Sequence, residues 1–458
     1  MDAGYISFTT DTWTADNTIQ SYLGITAHWL TDDFSRKSFV ISCMPLNDRH
    51  TAPNLGAHFL QALEKWNIEH TRCHLVVRDN AANITKCFTD LGLSSTGCFA
   101  HTVQLAVNEG ILSQRYVTDI IATCRRIVGH FKHSSSATSR LHDYQKQLGI
   151  ANHQLIQDVS TRWNSTYYMM ERMLEQRQPL TLYAAENSGV AVLLPNQWDV
   201  MKNAVGLLGP FEEATKYVSS ASVSISETIP LLVGLRTTLE KTEDDAGVKT
   251  MKAALLEALS SRFQIDYQPV YTIATVLDPR FKTRFFSQVV SAAVTGEMKT
   301  QLAAMHMQTT PPESTSDSAR PETSQTTTEQ PVQKKPRHAV VKSSLFECLD
   351  NLLDSQVTQP TQSASTPNAG EVELDRYLGE PLIPRTSNMP TWWNENRDRF
   401  PVLASMARKY LGAPPSSVPS ERLFSTAGGV ITDQRSRLLP ENAEMLIFLK
   451  YNTDLIQS

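Results

Sequence analysis

All strand-like patterning in this chain of 458 residues lies within the first hundred, so any sheet has to be built there and covered by helices. Tyr5–Trp13, Tyr22–Leu30 and Ser38–Cys43 are β-branched and aromatic runs separated by turn residues at Ala15-Asp16-Asn17 and Thr31-Asp32-Asp33, which predicts an antiparallel meander of three strands. Leu55, Phe59, Leu60, Leu63 and Trp66 then recur at helical spacing. His74–Arg78 reads as a fourth strand, about 82–91 as a helix, and Gly97-Cys98-Phe99 as a short segment leading into another helix. The order β-β-β-α-β-α-β-α is that of an α/β layer fold.

Beyond residue 101 the periodicity is helical, over Ile111–Lys132, Leu155–Glu175, Trp198–Val218 and Ser226–Glu243. Composition changes sharply near 308, where Ser, Thr, Gln and Pro replace apolar residues, as in Thr309-Thr-Pro-Pro-Glu-Ser-Thr-Ser-Asp-Ser318. Such a stretch reads as disordered linker interrupted by one isolated apolar helix, Leu345–Leu353. Helical pattern resumes from Leu374, with Trp392-Trp393 and the apolar run Met445–Leu449. The expected division is therefore 1–101, 102–307, a linker over 308–370, and 371–458.

A net charge of −5 argues against a wholly basic nucleic-acid binder while leaving room for a local basic face. No run approaches 18 consecutive apolar residues, so no membrane partner is expected, and the start resembles no secretory signal. Six scattered cysteines suit a reducing compartment. With no C-x-x-C pair, zinc ribbons and RING domains are excluded. Asp11 sits inside the first strand and Asp79 directly follows the fourth. If those strands are neighbours, both carboxylates face one side of the sheet, where they could share hard divalent cations. Taken alone, the pair reads first as ordinary strand-end aspartates.

The block Ser416-Ser-Val-Pro-Ser-Glu-Arg-Leu-Phe-Ser-Thr-Ala-Gly-Gly-Val430, followed by Arg435-Ser-Arg-Leu-Leu-Pro-Glu-Asn442, resembles the C-terminal region of hAT-family transposases and their zinc-finger-BED-type relatives. Five further landmarks of that family stand in order: Thr10-Asp-Thr-Trp13, Asp79-Asn-Ala-Ala-Asn83, Cys98-Phe-Ala-His101, Thr161-Arg-Trp-Asn-Ser-Thr166 and Leu277-Asp-Pro-Arg-Phe-Lys282.

The resemblance implies an RNase H-like α/β core interrupted by a large all-α insertion over 102–307, and a helical C-terminal dimerisation region that completes the core. It places an acidic triad of catalytic metal ligands on Asp11, Asp79 and Glu421, the last on a helix beginning near Pro419, with Mg²⁺ or Mn²⁺ as cofactor. Cys98 and His101 match an accessory C-x-x-H element, and Arg162-Trp163 a pair whose indole stacks on an extruded base. Each has a plainer reading as well: Glu421 as a first-turn helix acid, Trp163 as core packing, and Cys98 as an ordinary buried thiol. Cys98 and His101 could also combine with Cys73 and His70 or His74 around zinc, but no structural zinc is predicted. Dimerisation is expected through Trp392, Trp393, Leu446, Phe448 and Leu449, and nuclear localisation through Lys334, Lys335 and Arg337. The family's BED finger is not in this sequence, which reads as a truncated copy, a partial gene model or a domesticated derivative. The expected function is that of a transposase-derived nuclear protein that dimerises and binds DNA in transcription regulation. An active Mg²⁺-dependent transposase and a non-catalytic scaffold are the alternatives.

Overall fold

A computed structural model describes residues 4–15, 20–243, 245–265, 268–309, 345–354, 369–431 and 438–456. Strands β1 (Ile6–Thr14), β2 (Ser21–Leu30) and β3 (Arg36–Leu46) form the expected antiparallel meander. Helix α1 (Ala52–Lys65) then crosses the sheet, so that β4 (Cys73–Arg78) returns parallel to β1. Helix α2 (Ala82–Asp90) makes a second crossing and brings β5 (Ser95–Gly97) parallel to β4, giving the order β3-β2-β1-β4-β5.

Alternation along the strands sorts the two faces. Ile6, Phe8, Leu23, Ile25, Ile41 and Val76 pack under α1 and α2, where Phe59 sits edge-on between Phe8 and Phe88 at ring distances of 5.6 and 5.0 Å. Leu75 and Val77 point to the other face and belong to the same core as Val103, Ala106 and Val107 of α3 (Phe99–Leu112). The rest of that face is covered by residues from the far end of the chain. Helices Val418–Gly428 and Pro440–Ile456 bring Leu423, Phe424, Ala427 and Ile447 against Tyr22, Val40 and Cys43. The buried Asn452 amide donates to the carbonyl of Val40 and accepts from its N–H, at 2.9 and 3.1 Å, which satisfies an exposed sheet edge.

Between these two ends the described chain is helical, and it departs from the expected pattern in three places, two of them helix boundaries. The stretch over 111–132 breaks at Ser113-Gln114, so that α3 ends and a new helix runs from Arg115 to Lys132. Residues 155–162 are not helical. The Asp158 carboxylate is held by Arg125 and Thr166, and the Ser165 hydroxyl bridges the backbone N–H and carbonyl of Val159. These side-chain bonds compete with the helical ladder, and the helix starts at Trp163. The apolar helix Leu345–Asp354, expected to stand alone, is docked instead. Leu345 and Leu349 lie so close over Gly234 that a Cβ there would fall 2.8–3.0 Å from them, and Arg385 pairs with Asp350 at 2.6 Å.

Leu277–Lys282 joins the middle of the chain to its last third. Asp278 is fully buried and accepts from Ser226 and from the Arg280 guanidinium, which also pairs with Glu227 at 3.1 Å. The Lys282 ammonium donates to the carbonyls of Tyr377 and Glu380, and the Trp393 indole N–H donates to that of Leu277. Lys334, Lys335 and Arg337 lie outside the described residues. Among the described residues, no helix is long and apolar enough to cross a membrane.

Candidate metal and nucleic-acid site

Residues paired between β1 and β4 keep a constant offset, Ser7 with Leu75, Phe8 with Val76 and Thr9 with Val77. Carried two residues further, that offset points Asp79 toward Asp11; the pairing itself ends at Thr9 and Val77, and the Asp79 carboxylate accepts from the Ala81 N–H. Asp11 shares the face of Thr9, which is the face covered by the last third of the chain. There the Ser420 hydroxyl hydrogen-bonds that of Thr9 at 2.6 Å, and Thr9 in turn bonds Thr26 at 2.5 Å. This buried chain of hydroxyls pins the first turn of the helix Val418–Gly428 to the sheet, so Glu421, the next residue, emerges over the strand ends.

Helix packing at this point depends on Gly24, the β2 partner of Asp11. A Cβ on Gly24 would lie 2.8 Å from the Phe424 ring and 3.0 Å from Leu423. Sequence reading passed over this residue, although a glycine within a strand marks a close approach. Trp13 stacks on the other side of Phe424 at 5.8 Å.

Electrostatics bind the group together. Burial pushes the Asp11 carboxyl up to about 7, with Asp79 and Glu421 adding negative charge nearby and His101 opposing the rise. His101, in the first turn of α3, is pushed up to about 9, chiefly by the Cys98 sulfur against its ring and further by Glu421 and Asp11. Its Nε2 lies 3.7 Å from Glu421 Oε1. Cys98 is wholly buried at the N-cap of α3, and its sulfur accepts from the Ser417 N–H at 3.2 Å. Phe99 N–H donates to the Pro415 carbonyl, which ties the two helix starts together.

Carboxylate oxygens are the donors that Mg²⁺ and Mn²⁺ take, and a raised Asp11 among two other acids is a setting that a cation would relieve. In donor type the residues therefore suit a hard divalent ion. Even so, the three carboxylates do not all approach within 4.8 Å of one another. Among the described residues, the group that does so is Cys98, His101 and Glu421. Cys73, His70 and His74 do not join it. His74 packs edge-on against Tyr410, and His70 bonds the Leu91 carbonyl.

Two expected roles are corrected by burial. Trp163 is 2% exposed and packed in the helical core near Tyr167, so its face is not open to a base; only Arg162 beside it is exposed. The pair does lie near the site, because Gln104, one turn beyond His101, donates to the Thr161 carbonyl. Trp393 is fully buried between Phe34 and Tyr377 of its own chain, which removes it from any surface for a second copy. Phe448 also packs inward, on Phe39 and Trp66. Leu446 and Leu449 are exposed on the outer face of the last helix, next to Met445.

Comparison with known proteins gives three family matches in order along the chain. Residues 9–98 match the ZBED1 RNase-like domain, 96–206 the ZBED1 RNase-like helical domain and 373–453 the hAT family C-terminal dimerisation region. Over 99% of its length the chain is 30% identical to human "Zinc finger BED domain-containing protein 4", of which it covers 38%. It is 25% identical to "Zinc finger BED domain-containing protein 6" of mouse over 98% of its length, and 24% identical to "Putative AC transposase" of Zea mays over 97%. It spans 48% and 56% of those two proteins. With the RNase-like, helical and dimerisation regions in this order, the chain belongs to the hAT transposase-related family of zinc finger BED-type proteins.

Proposed function

We propose that this chain is a self-associating, DNA-binding nuclear protein of transcription regulation that keeps a divalent-cation site on Asp11, Asp79 and Glu421. We read the helical stretch between α3 and the C-terminal helices as the insertion that separates Glu421 from the two aspartates. Support for the reading comes from the β1–β4 register, which runs toward Asp11 and Asp79, from the Ser420–Thr9 bond one residue before Glu421, and from the charges of Asp79 and Glu421 bearing on Asp11. When bound, Mg²⁺ or Mn²⁺ would supply charge neutralisation at a phosphodiester. Asp11 and Asp79 would hold the ion from the strand ends, Glu421 from the helix, and Arg162 would meet the nucleic-acid backbone.

Self-association is supported by the matched dimerisation region together with the apolar stripe Met445, Leu446 and Leu449, each more than 40% exposed. DNA contact predicts an affinity that falls steeply as salt rises, whereas a flat salt response would contradict it.

Completeness of the triad favours one further reading, a live Mg²⁺-dependent strand-transferring enzyme. Nicking of supercoiled DNA in Mn²⁺, compared between wild type and Asp79→Ala, decides between them. Activity lost in the variant makes the chain an enzyme; equal, background-level nicking leaves binding alone.

A further inference from the structure

Cys98, His101 and Glu421 form a second cluster that the carboxylate reading does not use as a set. A sulfur, an imidazole nitrogen and a carboxylate oxygen lie within 4.8 Å of one another, and the two measured atoms, His101 Nε2 and Glu421 Oε1, are 3.7 Å apart. Around a tetrahedral zinc ion, bond lengths of about 2.0–2.3 Å put neighbouring donors roughly 3.3–3.6 Å apart. The cluster thus needs only a small contraction. Cys98 Sγ accepts one backbone N–H from Ser417, and His101 Nδ1 is buried with no hydrogen-bond partner. Cys98 and His101 are three residues apart at the start of α3, a spacing that presents both toward one point, while Glu421 comes from the first turn of the helix Val418–Gly428.

We propose that Cys98, His101 and Glu421 bind a borderline transition-metal ion of the zinc class, which clamps the start of α3 to the Ser-Glu-Arg helix. The donor set selects the ion. A thiolate with an imidazole suits Zn²⁺ or Co²⁺ and is a poor host for Mg²⁺, which takes oxygen ligands. On coordination the Cys98 thiol proton leaves to solvent. Three protein donors leave a fourth position open, and Glu421 is exposed, so the ion is exchangeable. Sequence reading missed this arrangement because the third donor stands at the opposite end of the chain. Asp11 and Asp79 take no part, and the inference does not rest on a hard-cation site.

The test is Co²⁺ titration of the full chain after chelator treatment, followed by the sulfur-to-cobalt charge-transfer absorption and by Tm. Wild type is expected to bind one Co²⁺ per chain with that absorption, to lose it when Zn²⁺ is added, and to keep it in excess Mg²⁺. Affinity should fall at least tenfold in Glu421→Gln and His101→Asn, and the absorption should vanish in Cys98→Ser. Zn²⁺ should raise the Tm of wild type but not of these variants. Because Cys98 is buried, Glu421→Gln at its exposed position decides the matter if Cys98→Ser does not fold. Asp79→Asn and Cys73→Ser are expected to keep the absorption, so that loss of hard-cation binding and loss of this site can be told apart. No absorption in wild type, or one whose affinity is unchanged in Glu421→Gln and His101→Asn, would overturn the proposal.

Discussion

Gly24 shows how one absent side chain positions the candidate site. The Phe424 ring and Leu423 occupy the space where a Cβ would be, directly across from Asp11. Gly24→Ala is expected to push the helix Val418–Gly428 off the sheet and cost about 1–3 kcal/mol, as overpacking does. Urea denaturation checks this, and Phe424→Leu in the same chain should recover part of the loss. His28 makes a second prediction. Burial pushes its ring down to about 3, and its Nε2 bonds Thr26 in the buried hydroxyl chain that ends on Ser420. The unfolded chain takes up a proton near pH 6.5 while the folded one does not until about pH 3. Stability from this residue is therefore present above pH 6.5 and is lost as pH falls, by about 1.4 kcal/mol per unit. Wild type should lose stability faster than His28→Leu between pH 6 and 4; parallel curves would refute it. The aspartates and Glu421 were legible as residues, since an acid inside a strand and the Ser-Glu-Arg block draw notice. Gly24, Thr9 and Ser420 were not, because their roles exist only once sheet and helix meet.

At the level of elements, the last helix has two faces with different expected behaviour. Ala443, Ile447 and Asn452 face the sheet, and Met445, Leu446 and Leu449 face outward. Sequence showed the apolar run Met445–Leu449 but could not apportion its faces, since periodicity does not say which side meets β3. Leu446→Ser with Leu449→Ser should weaken self-association in sedimentation while leaving Tm nearly unchanged. Ile447→Ala should do the reverse, costing about 2–4 kcal/mol of stability. Removing residues 371–458 altogether would not isolate dimerisation, because it strips one face of the sheet. Strand positions were readable from β-branched alternation, whereas β1–β4 adjacency stood open in the sequence and is set by the crossover through α1. The start at Trp163 rather than Leu155 was not readable, since Arg125, which holds Asp158, lies on another helix. Long-range packing also buries Trp393, expected at an interface, against Phe34 and Tyr377.

Across the whole molecule, the two ends of the chain form one sheet-centred unit, and the helical middle is fastened to the last third at Leu277–Lys282. Arg280 lies between Asp278 and Glu227 with all three side chains buried. Arg280→Met would leave two acids facing each other without a cation, and a loss of about 3–5 kcal/mol is expected in thermal or urea unfolding. The central claim is that Glu421 is folded back onto Asp11 and Asp79 to complete a hard-cation site. Mn²⁺ titration of the full chain, followed by electron paramagnetic resonance, tests it most directly. The account predicts bound Mn²⁺ in wild type, with affinity at least tenfold weaker in both Asp79→Asn and Glu421→Gln. Equal Mn²⁺ affinity in wild type and both variants would contradict it.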